Sequence, residues 1–266
     1  MLELILILLA VLLFCTYCRK DHPGLKDLQG FAYAHRGLHG NGVPENSMAA
    51  FRASLEKGYG IELDVHLLKD GNLAVIHDSL LNRTTGEAGH VEDLTTEDLK
   101  NYRLEGTEET IPEFMDVLTL YNGKAPLIVE LKPENGNHAA LTEAACKMLD
   151  SYKGVYCLES FDPRCVKWLK ENRPDLTRGQ LTENFLKSRN ELQDYLKFAL
   201  THNLLNFLGR PDFVAYKFED RKDSFTTALC RKLWKAQGVT WTVKSKEDYD
   251  TAMAEGWIPI FEGFEP

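Results

Sequence analysis

Along most of the chain, short apolar or alternating runs are separated by longer stretches in which apolar positions recur every three or four residues. The short runs predict strands and the long ones amphipathic helices. Strands are expected at Phe31–His35, Gly60–Val65, Leu73–His77, Pro126–Leu131, Val155–Ser160, Leu176–Leu181, Asp212–Lys217, Val239–Val243 and Ile258–Phe261. Helices are expected at Ser47–Lys57, Pro112–Tyr121, Ala139–Tyr152, Pro163–Glu171, Glu191–Leu205, Ser224–Gln237 and Lys246–Ala254. This alternation predicts a parallel sheet covered by helices. A length of 266 residues suits a single (β/α)8 TIM barrel of the α/β class. The second and third strands are joined by Lys69-Asp70-Gly71-Asn72 and its flanks, too short for a parallel crossover, so they are expected to form a hairpin. One of the nine strands is then an irregular addition. Residues 80–110 are polar and contain glycine, with a short helical stretch near Thr96–Tyr102, and are expected to insert over one mouth of the barrel.

The N-terminus breaks this pattern. Leu4–Cys18 carries no charge and is followed directly by Arg19 and Lys20. Fifteen helical residues reach roughly 22 Å, short of the roughly 30 Å hydrocarbon core, so a span would need snorkelling flanks or a thinned bilayer. A cleaved signal is disfavoured because Glu3 precedes the run and Phe14-Cys15-Thr16 offers no small-residue cleavage site. The expectation is a single-pass anchor in the cell membrane over residues 1–20, a linker over 21–30 and the folded domain over 31–266. Arg19 and Lys20 then place that domain on the cytoplasmic side.

Composition adds exclusions. With 31 basic and 40 acidic residues the net charge is −9, and no Lys/Arg run is present, which argues against nucleic acid as a partner. An anionic substrate would need a local basic site. The six cysteines lack zinc-type spacing and disulfide-scaffold density, so free thiols are expected.

Candidate chemistry lies where charged residues end apolar strands. Three such clusters occur: His35-Arg36-Gly37 followed by Pro44-Glu45-Asn46-Ser47; Glu62-Leu63-Asp64 continuing to His77-Asp78; and Glu130-Leu131-Lys132. Residues two apart on a strand share a face, so Glu62 pairs with Asp64 and Glu130 with Lys132. If those faces point inward, three carboxylates converge and their repulsion calls for a cation, with oxygen donors favouring Mg²⁺ or Ca²⁺. The alternative leaves these residues on half-exposed strands, paired with Lys69 or Lys132. His35 and His77 each end an apolar strand beside a charged residue, which suits acid–base work. Three carboxylates, one divalent ion, Arg36 and Lys132 together leave a single positive charge, the complement of a phosphodiester.

These motifs resemble the glycerophosphodiester phosphodiesterases, a branch of the phospholipase-C-like TIM barrels. The resemblance runs through HRG at His35–Gly37, PENS at Pro44–Ser47, ExD at Glu62–Asp64, KDG at Lys69–Gly71, HD at His77–Asp78, LxRTTG at Leu81–Gly86 and ExK at Glu130–Lys132. Ser160-Phe161 and Trp241-Thr242 look like its downstream elements. It implies metal-dependent hydrolysis of a small glycerophosphodiester to glycerol 3-phosphate and an alcohol. On that basis Glu62, Asp64 and Glu130 are expected as ligands of one divalent metal ion, His35 as general base and His77 as general acid. Arg36 and Lys132 are expected to contact phosphate, Glu45 and Asn46 to support the metal site, and Trp241 to wall the glycerol. The family's usual closing TDxP is absent; Glu262 stands in the place of its Asp. Two other readings are a membrane-associated lysophospholipase D-like enzyme and a non-catalytic membrane-tethered binding protein.

Overall fold

The computed structural model describes residues 1–188 and 192–266, so Glu191, the expected start of one helix, lies outside the described residues. Among the described residues nine strands form one sheet: β1 (Tyr33–His35), β2 (Gly60–Leu67), β3 (Leu73–Val75), β4 (Leu127–Leu131), β5 (Tyr156–Ser160), β6 (Arg178–Thr182), β7 (Phe213–Lys217), β8 (Gln237–Val243) and β9 (Trp257–Phe261). β3 pairs antiparallel with β2, the expected hairpin, with Val65 opposite Val75. The other strands pair in parallel, and β1 bonds to both β2 and β9, which closes the barrel.

The two-residue period of each strand sorts its side chains between two cores. Ile61, Leu63 and Val65 of β2 and Leu127 and Val129 of β4 point outward, against Phe114, Leu118 and Leu141 of the covering helices. Tyr33, Ile128, Cys157, Phe213, Val239 and Ile258 fill the interior. By the same alternation Glu62, Asp64 and Glu130 face inward, above that apolar filling.

Local chemistry explains most helix limits. Ser47 accepts a hydrogen bond from the Ala50 amide and starts Met48–Glu56; Ser245 accepts one from Asp248 and starts Lys246–Ala254. The helix expected over Ser224–Gln237 stops at Lys232, because Gln237 is already paired into β8 opposite Phe213. Beyond Asp194–Thr201 the chain turns through Asn203 at a φ of 54° before a short helix over Asn206–Gly209, so the expected single helix to Leu205 is divided.

The insertion over residues 80–110 has a small core of its own, with Leu81, Val91, Leu94, Leu99 and Leu104 packed on Ile76 and Ile111. Arg83 reaches from it to Asp78 and Glu45, which fixes the insertion at the carboxyl end of the barrel strands.

The expected membrane anchor is overturned. The N-terminal helix covers Leu2–Cys15, fourteen residues, and no helix among the described residues is long and apolar enough to cross a membrane. At about 1.5 Å per residue it reaches roughly 21 Å. The single-pass placement falls, and the cytoplasmic orientation that depended on it falls too. Part of the apolar run is core instead: Thr16 and Cys18 are fully buried, Cys18 beside Asn206 and Cys230. Arg19 pairs through two nitrogens with Asp212, which also accepts from the Arg178 amide at 2.9 Å. Residues 21–30, expected as a linker, include a helix over Gly24–Asp27, and Leu25 and Leu28 pack against the interior cluster. All six cysteines are free thiols, as expected.

Asp212 is fully buried and faces Arg19 across the base of the barrel. Asp212→Ala should lower unfolding stability by about 3 kcal/mol, because it removes the counter-charge of Arg19 and the acceptor of the buried Arg178 amide. Urea denaturation measures it. Deletion of residues 2–11, none of them buried, should change stability by less than about 1 kcal/mol.

Candidate active site

Each candidate side chain stands at the carboxyl end of a barrel strand or in the loop that follows. His35 closes β1, and the chain then turns sharply through Arg36 at a φ of 54° and Gly37 at 82°. A Cβ on Gly37 would lie 2.8 Å from that of Ala50, so only glycine fits where this loop crosses the following helix. The turn brings the Arg36 amide to 3.3 Å from Glu62 Oε2, and the Arg36 guanidinium donates to Glu45 at 2.8 Å and lies 3.5 Å from Asp64. Asn46, also in the left-handed region at 49°, donates its side-chain amide to Asp64 Oδ2 at 2.8 Å.

Glu62, Asp64 and Glu130 converge as the inward reading expects. They are 3%, 0% and 6% exposed, and one carboxylate oxygen from each lies within 4.8 Å of the others. Their charge states are unequal. Burial, then repulsion from Asp64 and Glu130, pushes the Glu62 carboxyl far above the usual range, and burial also raises Glu130. Burial opposes the Asp64 charge too, but Lys132, His77 and Arg36 outweigh it and hold that carboxyl well below its usual range. Asp64 Oδ1 is buried with no hydrogen-bond partner. An anionic oxygen with no hydrogen bond and a single ammonium 3.5 Å away, among three converging carboxylates, fits a hard divalent cation, and Glu62, Asp64 and Glu130 are the residues that would hold it.

The cations lie close by. Lys132 Nζ is 3.0 Å from Glu130, 3.5 Å from Asp64 and 3.1 Å from His77 Nε2. The two histidines are held alike. His35 Nδ1 is 2.5 Å from Glu262 and His77 Nδ1 is 2.6 Å from Asp78. Each ring therefore turns Nε2 toward the cavity, His35 Nε2 lying 3.8 Å from Glu62. Burial lowers both imidazoles from their ordinary value. His66, the neighbour of Val65, points away and pairs with Glu92 at 2.6 Å.

The cavity between the histidines is lined on one side by His35, Arg36, Glu62, His77 and Glu130, and on the other by Phe161, Leu181, Trp241 and Ile260. Trp241 stands edge-on to Phe161, 5.5 Å between centroids, and donates its indole N–H to Ala215 O. All ten candidate residues thus meet at this mouth, with Glu45 and Asn46 behind Arg36 and Asp64.

Two further residues come from the structure. Glu262 was visible only as a departure at the chain's end, and its contact with His35 spans 227 positions. Glu159 was not singled out. It is buried in the cavity beside Glu130 on the neighbouring strand, burial raises its carboxyl well above the usual range, and its Oε2 has no hydrogen-bond partner. A charged residue inside the apolar run Tyr156–Ser160 is the same signal that exposed Glu130.

Known proteins match this chain in sequence and in fold. Residues 35–261 match the Glycerophosphoryl diester phosphodiesterase family. Glycerophosphodiester phosphodiesterase 1 of Mus musculus is 37% identical over 264 residues, covering 85% of this chain and 76% of that protein. A glycerophosphodiester phosphodiesterase of Bacillus altitudinis is 46% identical over 110 residues, 39% of this chain and 44% of the relative. In fold, the chain is similar to an Oleispira antarctica phosphodiesterase solved with the product sn-glycerol-3-phosphate, with a TM-score of 0.73, 20% identity and coverage of 90% and 94% of the two chains. A family match that begins at His35, ends at Phe261 and takes in the carboxylate trio places this chain in the glycerophosphoryl diester phosphodiesterase family.

Proposed function

We propose that the chain hydrolyses small glycerophosphodiesters to glycerol 3-phosphate and an alcohol, with one divalent cation, Mg²⁺ or Ca²⁺, held by Glu62, Asp64 and Glu130. The observation that carries this reading is the pair of imidazoles, each tied at Nδ1 to a carboxylate, with both Nε2 atoms turned to one cavity beside the trio. Acid–base cleavage of a diester needs such a pair: one group accepts the proton of the attacking oxygen and the other gives one to the leaving alkoxide. His35 is the base in this scheme. Glu262 keeps the proton on its Nδ1, so the Nε2 lone pair is available. His77 is the acid once its Nε2 carries a proton, which requires Lys132, 3.1 Å from that nitrogen, to turn to the phosphoryl oxygens; Asp78 then stabilises the protonated ring. Arg36 and Lys132 hold the phosphoryl oxygens and offset charge as it develops there. The bound cation would supply Lewis-acid stabilisation of that same charge. Phe161 and Trp241 wall the organic group and exclude water from it.

Chelation should abolish turnover and Mg²⁺ or Ca²⁺ should restore it. The same ion at about 100 times its dissociation constant should stabilise the fold by about 2.7 kcal/mol, read as a rise in melting temperature that Asp64→Asn loses. Full activity in excess chelator contradicts the trio as a metal site.

His35→Ala and His77→Ala should each lower kcat by roughly 10²-fold or more with the circular dichroism spectrum unchanged. Unchanged turnover in either variant rejects its assigned role.

A panel of glycerophosphocholine, glycerophosphoethanolamine and lysophospholipids, with released glycerol 3-phosphate as the readout, should show turnover of the deacylated substrates. Activity on acylated substrates alone replaces this reading.

A further inference from the structure

Beside the carboxylate trio, and sharing none of its residues, lies a second group of metal-ligating side chains: His35, His39 and Glu262, whose donor atoms fall within 4.8 Å of one another. Glu262 follows β9 directly, and its amide donates to Val243 O at 2.9 Å, which fixes where its side chain starts. Lys244 lies 3.5 Å from Oε1. The other oxygen, Oε2, is turned to both imidazoles, 2.5 Å from His35 Nδ1 and 3.7 Å from His39 Nε2. The second distance is too long for a hydrogen bond. His39 Nε2 is shielded from water and has no hydrogen-bond partner among the described residues, although it points at an anionic oxygen. Its loop is held in place by paired main-chain bonds between Gly40 and Val43, at 2.8 and 3.0 Å.

We propose that His35, His39 and Glu262 form a zinc-binding site, separate from the oxygen-only trio, whose occupation switches the enzyme off.

Two imidazoles and one carboxylate are a donor set that zinc favours and that Mg²⁺ and Ca²⁺ do not, whereas the trio offers oxygen alone. Ligand atoms about 2.0–2.1 Å from a tetrahedral ion lie roughly 3.4 Å apart. The observed 2.5 and 3.7 Å fall on either side of that spacing, so small side-chain rotations complete the site. Three protein ligands leave a fourth position for water. Side chains 12%, 20% and 23% exposed leave the ion a path from the barrel mouth.

The switch follows from the two nitrogens of one ring. Zinc on Nδ1 displaces the proton shared with Glu262. The single proton of the neutral ring then resides on Nε2, the nitrogen that faces the cavity. That nitrogen has no lone pair left, and it accepts no proton from an attacking oxygen. This blocking step rests on the role proposed above for His35; the binding of zinc does not.

Calorimetric titration of the full chain with ZnCl₂, with Mg²⁺ or Ca²⁺ saturating the trio, tests the site against His39→Ala. His39 is outside the proposed catalytic set, so the variant should turn over like the parent without zinc. The parent should bind one additional zinc per chain, at least about tenfold more tightly than the variant. Zinc should lower the parent's kcat, further Mg²⁺ or Ca²⁺ should not restore it, and half-inhibition of the variant should need at least about tenfold more zinc. Equal zinc affinity in the two proteins overturns the proposal, as does relief by Mg²⁺ or Ca²⁺, which would place zinc in the trio. If the variant does not fold, Co²⁺ titration of the parent decides: intense visible bands of a four-coordinate ion support the site, and their absence rejects it. If the parent cleaves no glycerophosphodiester, calorimetry still settles the zinc site, and the failure belongs to the proposed function.

Discussion

Three carboxylates buried within 4.8 Å of one another impose the constraint around which the mouth of this barrel is organised. Inside a protein each unpaired charge costs several kcal/mol, and like charges at such spacing repel strongly in a low dielectric. The apolar filling beneath them, from Tyr33 to Ile258, removes water from that side. Compensation must therefore come from above, and it does. Lys132, Arg36 and Asn46 converge on Asp64 and stabilise its charge, while Glu62 and Glu130 remain raised. The same imbalance that makes the trio unfavourable alone suits it to a divalent ion.

Much of the surrounding structure keeps these countercharges in place. Arg36 and Asn46 occupy left-handed backbone positions, which Gly37 makes possible by letting the loop cross the helix at contact distance. Glu45 ties Arg36 to Arg83, so the insertion over residues 80–110, which has its own small core, is joined electrostatically to the rim of the cavity. Carboxylates also orient the two histidines, but from different sources. Asp78 is the immediate neighbour of His77, whereas Glu262 comes from the far end of the chain. Only the second contact brings a further imidazole with it, and that difference is what makes a nitrogen-rich metal site possible beside His35 alone.

The opposite end of the barrel shows a related economy of charge. Asp212 is fully buried and accepts from Arg19 and from the Arg178 amide, so the segment after the N-terminal helix is fastened by an ion pair. Thr16 and Cys18 belong to the same uncharged run as Leu4–Leu13, yet the former lie inside the fold and the latter are mostly exposed. An apolar run records a preference to leave water. It does not record whether protein or lipid takes the residues in.

The sequence by itself determined the alternation of strands and helices, the β2–β3 hairpin, and the placement of Glu62 with Asp64 and of Glu130 with Lys132 on shared faces. These follow from the two-residue period of a strand and from short connections, both set by local covalent geometry. It also showed which charged residues end apolar strands, and so most of the candidate site. Barrel closure, the convergence of the trio, the tie between Glu262 and His35, the place of Glu159 beside Glu130 and the division of the N-terminal run were decided only by tertiary structure. Each depends on which strands lie side by side and on what each side chain meets once water is excluded. Residues 35 and 262 come within 2.5 Å because the first and last strands of the barrel are neighbours in space, a relation that no spacing along the chain encodes.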